Sequence, residues 1–91
     1  MKQYLLGTAV KITTILDTDT ATCTITIEDP SDSEKVTNAS MTKADNKVYY
    51  YIWQSSSNYN EGIYTCRITA VSGDYTSIKE EEIEMIDQSD K

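Results

Sequence analysis

The sequence predicts an all-β fold, an antiparallel sandwich of about seven strands that forms one domain over residues 1–91. Three observations point there. Apolar and polar residues alternate at period two in several short runs, the spacing of a strand with one buried face. The large apolar side chains are Ile, Val, Tyr and Trp53, with no Phe and abundant Thr, a mix that suits a pleated surface better than a helix. Turn residues recur at regular spacing, and no convincing helical period interrupts them. With 38% hydrophobic and 25% charged residues, the chain falls in the globular range, and its length allows one modest core.

The first strand is expected over Thr8–Leu16, with Val10 and Ile12 on one face and Lys11 and Thr13 on the other. Asp17 to Thr20 reads as a turn, because Asp side chains bond neighbouring backbone amides. Ala21–Ile27 follows with the cleanest alternation in the chain: Ala21, Cys23, Ile25 and Ile27 against three threonines. Pro30 cannot donate to a ladder, so Glu28–Ser33 is a loop. Glu34–Ala44 offers only Val36, Ala39 and Met41, which suggests one short, irregular strand. After a turn at Asp45–Lys47, Val48–Trp53 reads as a strand with both faces partly covered. Gln54–Asn60 is a polar loop.

Asn60-Glu61-Gly62 then forms a tight corner feeding a strand in which Tyr64, Cys66 and Ile68 share one face. Ser72-Gly73-Asp74 turns the chain in a hairpin. The last strand runs from Tyr75 to Ile86. Its alternation slips at Glu80–Glu82, which suggests a bulge or an edge defended by charge. Residues 87–91 form a polar tail.

Function is constrained mainly by exclusion. The net charge is −7, and the single Arg and seven Lys form no basic run, which argues against binding nucleic acid or an anionic membrane. The chain has no His, which removes the usual general base and most zinc sites. Two distant cysteines make neither a redox pair nor a zinc knuckle. The acidic groups Asp17 with Asp19, Glu28 with Asp29 and Asp32, and Glu80 to Glu84 lack the spacing of a calcium loop, and they read as solvated charge. An enzyme, a cofactor and a small-molecule substrate are therefore not expected. The N-terminal apolar run is cut by Gly7 and Thr8 and ended by Lys11, too short for a signal h-region. Synthesis in the cytoplasm is the expectation. Asn38-Ala39-Ser40 is a formal glycosylation sequon, expected to be chance.

A corner followed by Gly62-Ile63-Tyr64-Thr65-Cys66 resembles the tyrosine corner of immunoglobulin-like sandwiches, where the hydroxyl bonds back to the backbone before the strand. Gly62 and Tyr64 would hold that corner. The resemblance also implies a bridge between Cys23 and Cys66, from the second strand and the corner strand, while two buried free thiols remain the other reading. No aromatic residue follows Cys23 where an antibody-type core Trp would lie. The chain looks more like the Ig-like and macroglobulin-like modules of tailed-virus virions and prokaryotic surface proteins. The matching residues are Ile27-Glu28-Asp29-Pro30-Ser31, Tyr49 to Tyr51 and Gly62-Ile63-Tyr64, within a span of about Ala21 to Val71.

That resemblance implies a structural or binding protein. The expected role is a small virion component, either capsid decoration or a neck or tail protein, whose partners are other structural proteins, including itself. The alternative is a module of a cell-surface or adhesion protein with the bridge oxidised. Tyr49, Tyr51, Tyr59 and Tyr75 are the candidate contact surface, since Tyr supplies much interface energy. Against this, the face shared by Tyr49, Tyr51 and Trp53 can lie in the core. The terminal strands, Val10–Leu16 and Tyr75–Ile86, are the expected edges for strand docking.

Overall fold

Period-two alternation becomes eight strands in two facing sheets. The computed structural model describes residues 2–16 and 22–87. The strands are β1 (Lys2–Leu5), β2 (Ala9–Ile15), β3 (Thr22–Glu28), β4 (Glu34–Ser40), β5 (Thr42–Asp45), β6 (Val48–Gln54), β7 (Gly62–Ser72) and β8 (Tyr75–Ile86). One sheet has the order β1-β8-β7-β3-β4 and the other β2-β6-β5. This is the B-E-D against G-F-C-C′ order of an immunoglobulin-like sandwich, with β1 added beside the last strand. The turn expected at Asp17 to Thr20 and most of the polar tail lie outside the described residues.

The alternation is honoured strand by strand. β2 buries Val10, Ile12 and Thr14 and exposes the residues between them. β7 buries Tyr64, Cys66, Ile68 and Ala70, and β3 contributes Cys23, Ile25 and Ile27 from the neighbouring position in the same sheet. Tyr49 and Trp53 reach in from β6, and the Trp53 ring lies 5.6 Å from that of Tyr64 across the sandwich. Burial of these side chains, at about 1.5–3 kcal/mol each for the larger aliphatics, is the main force holding the sheets face to face.

Four differences from the sequence reading have physical causes. The strand count is eight, because Lys2–Leu5 forms β1, held in parallel against Ile83–Ile86, and because the segment after Ser33 makes two strands. Four residues are too few to show an alternation, and the pairing comes from β8. The sheet is therefore not wholly antiparallel. The weak segment after Ser33 is two strands in different sheets, with β4 beside β3 and β5 beside β6. The crossing lies at Met41, whose N–H bonds Cys23 and whose sulfur meets the Cys23 thiol at 3.6 Å. Finally, β7 and β8 pair in one unbroken register from Gly62↔Met85 to Ser72↔Tyr75. No bulge occurs at Glu80–Glu82. Lys79 and Glu81 simply occupy core-facing positions where nothing covers them.

Candidate functional site

The residues singled out in the sequence gather at two places, and only one of them is a free surface. The first is the pole where β7 begins. The Tyr64 hydroxyl donates to the Asn60 carbonyl at 2.6 Å, and its ring is fully buried. Burial, with Asp29 and Tyr59 nearby, raises the Tyr64 pKa above the usual phenol value. Gly62 has φ +139°, and a Cβ there would meet the Pro30 ring at 2.6 Å. The proline loop is thus seated on the corner.

Asp29 organises that loop. One carboxylate oxygen accepts from the Ser31 and Ser33 amides at 2.8 and 2.9 Å, and the other lies 3.6 Å from Lys35 Nζ. Its pKa is held below the usual carboxylate range, chiefly by the Ser33 amide, with Ser31 and Lys35 adding to it against the opposing effect of burial. Asp29 is therefore a buried structural group rather than solvated charge. Lys35 Nζ sits 4.8 Å above the Tyr59 ring, and Tyr59 stacks on Trp53. A chain of contacts runs across the pole from Asp29 through Lys35, Tyr59 and Trp53 to Tyr64.

This placement corrects the expected contact surface. Tyr49 is only 5% exposed, Tyr51 and Tyr59 pack against the core, and only Tyr75, 80% exposed at the tip of the β7–β8 hairpin, is free. Tyr49 and Tyr51 alternate inward along β6 with Trp53, Tyr49 buried in the core and Tyr51 packed against it. The expected Cys23–Cys66 bridge is also corrected. Both thiols are free and buried. They sit on adjacent strands of one sheet, where Cys23 pairs with Ala70 and Cys66 with Ile27. Four residues of offset is about 13 Å along the strand, beyond the reach of a disulfide. The missed β1 is the reason: Cys23 lies on the third strand, beside the corner strand, and not on the second, across from it. Burial, with Glu81 adding to it, pushes the Cys66 thiol up to about 12, and burial raises Cys23 as well.

The second place is the three-stranded sheet. Among the described residues β2 pairs only with β6, so along its other side alternate residues turn N–H and C=O groups outward. It is seven residues long and carries Lys11 as its only ionised side chain. Beside it, on the outer face, Ile15 and Ile52 are 67% and 56% exposed, and Lys11 lies over the Tyr50 ring. The other terminal strand behaves differently. β8 is an interior strand at Ile83–Ile86, where β1 covers it. Its free part, Tyr75–Glu82, carries Lys79 and three glutamates. A groove of about 240 Å³ separates this part from β2, with Ile12 and Ile83 at its base and Lys2, Lys11, Glu81 and Glu82 around it.

The outer face of the larger sheet is charged. Arg67 bonds Glu80 at 3.0 Å and Glu28 at 3.3 Å. Among the described residues no group of three or more His, Cys, Asp or Glu is placed to hold a metal ion. No known protein family, curated protein or solved structure matches the chain. The β2 edge was legible in part, since its alternation and its lack of acids are visible in the sequence. Its place at an edge was also expected for Val10–Leu16, and β2 is an outer strand of its sheet.

Proposed function

We propose that this chain is a non-enzymatic assembly module that docks to other structural proteins through the β2 edge and the adjoining outer face, as a small component of a tailed-virus particle. The observation that carries the docking surface is the free side of β2, with no acidic residue and with isoleucines exposed on the adjoining outer face. A sheet edge without acids is a template for adding another strand, here with Lys11 as its one charge. The rest of the molecule repels acidic partners at a net charge of −7.

The virion setting draws on the likeness of Ile27–Ser31, Tyr49–Tyr51 and Gly62–Tyr64 to modules of such particles. A cell-surface module with an oxidised bridge is less favoured, because Cys23 and Cys66 stand too far apart to form one. Density-gradient fractionation of the native source, following the chain by mass spectrometry, tests the reading. Co-migration with nucleic-acid-containing particles, at a fixed ratio to their major shell protein, is expected. Recovery in the cell envelope, or only as free protein, would discard it.

A further inference from the structure

We infer that the loop from Asp29 to Lys35 is an acid-released latch: loss of the Asp29 charge frees Lys35 and uncovers Trp53 while the two sheets stay paired. The loop is closed around one carboxylate. Asp29 accepts the Ser31 and Ser33 amides with one oxygen and faces Lys35 Nζ at 3.6 Å with the other. The residue is buried, so a neutral carboxyl there gives up charge-assisted bonds and gains no water in exchange. Within the loop Asp32 holds φ +65°, a conformation that few non-glycine residues keep unless their surroundings impose it. Lys35 carries the latch outward. Its ammonium meets both the Asp29 carboxylate and the Tyr59 ring, 4.8 Å from the ring centroid, and Tyr59 stacks on Trp53 with centroids 6.2 Å apart.

The groups around Asp29 assign the change to its own proton. Lys35 of β4, Tyr64 of β7 and, beyond Lys35, Tyr59 are the titratable groups on its side of the pole, and ammonium and phenol groups keep their protons in acid. The neighbouring acids have other partners or face water. Glu28 pairs with Arg67, Glu34 accepts from Thr37, Glu61 accepts from the Asp87 amide, and Asp32 is exposed. Two amides and an ammonium favour the ionised form and hold Asp29 below the usual carboxylate range. The latch is therefore closed above about pH 4 and opens as pH falls through the native value. The sheets do not depend on it. β3 and β7 pair over seven residues and β7 and β8 over eleven, and a surface loop can open while such ladders persist.

Trp53 is the single tryptophan, so its fluorescence reports the latch. When the whole chain is titrated into acid, its emission should move to longer wavelength and become open to acrylamide quenching below about pH 4. Far-UV circular dichroism should keep its strand signal, and neutralisation should reverse the change. Lys35→Met removes a contact that favours the carboxylate, so the same change should begin at higher pH. Asp29→Asn should show the acid-form emission already at neutral pH, with no transition. Asp32→Asn, exposed on the same loop, should titrate as the native chain does. A Trp53 change that coincides with loss of the strand signal would be global acid unfolding and would overturn the inference. A transition that persists in Asp29→Asn, or one unmoved in Lys35→Met, would overturn it too, as would an unchanged Trp53 down to about pH 2. If Asp29→Asn does not fold, Lys35→Met decides.

Discussion

Tyr64 has one hydroxyl proton, and it is directed at the Asn60 carbonyl inside a fully buried environment. Removing it leaves a carbonyl without its donor, so Tyr64→Phe is expected to lower stability by about 1–2 kcal/mol in denaturant unfolding. Gly62 is constrained twice, by φ +139° and by the Pro30 ring. Gly62→Ala is expected to cost about 2–3 kcal/mol, and Pro30→Ala in the same chain should recover the steric part but not the backbone part. Thr14 behaves in the opposite way. Its hydroxyl is buried in β2 with no hydrogen-bond partner among the described residues, so Thr14→Val is expected to raise stability by about 1 kcal/mol. A loss instead would mean that the hydroxyl is satisfied. The corner was legible in the sequence because its bond is local, spanning four residues. The seating of Pro30 on Gly62 was not, since the two are 32 positions apart and meet only once β3 and β7 pair.

Among the elements, the loop from Asp29 to Lys35 shows how a short polar stretch is fixed. The Asp29 carboxylate is favoured in the native state by two backbone amides and Lys35. Because its native pKa is lowered, its contribution is fully present above the unfolded value of about 4. It is lost as pH falls from there through the native value. The stability gap between the native chain and Asp29→Asn should therefore be constant above about pH 5 and should shrink below pH 4 in urea titrations. A gap independent of pH would contradict the role given to the charge. In the sequence Asp29 looked like one acid among several, since nothing local shows that Ser31, Ser33 and Lys35 converge on it. β2, β3, β6, β7 and β8 were legible from alternation. β1 and the β4–β5 crossing were not, because short segments take their structure from the strand they join.

For the whole molecule, the missing first strand decides the cysteines. With β1 counted, Cys23 moves to the strand beside β7, and the two thiols lie in one sheet. Native chain without reductant is expected to show two thiols to an aromatic disulfide reagent in denaturant and essentially none when folded, because burial disfavours the thiolate at both. Absence of both thiols in denaturant would instead indicate a bridge and a different topology. The candidate site belongs to this scale: β1, β4, β2 and β5 are the outer strands of the two sheets, and β2 is the longest of them without an acid. Only Tyr75 of the four candidate contact tyrosines is free, because aromatic alternation looks the same whether a face meets solvent or a second sheet.

The most direct test of the free β2 edge is residue-resolved amide exchange, followed by NMR in dilute protein. Alternate amides of Ala9–Ile15 should exchange rapidly, as edge groups without a partner strand, while β7 stays protected. Uniform protection of β2 in dilute protein would mean the edge is already covered.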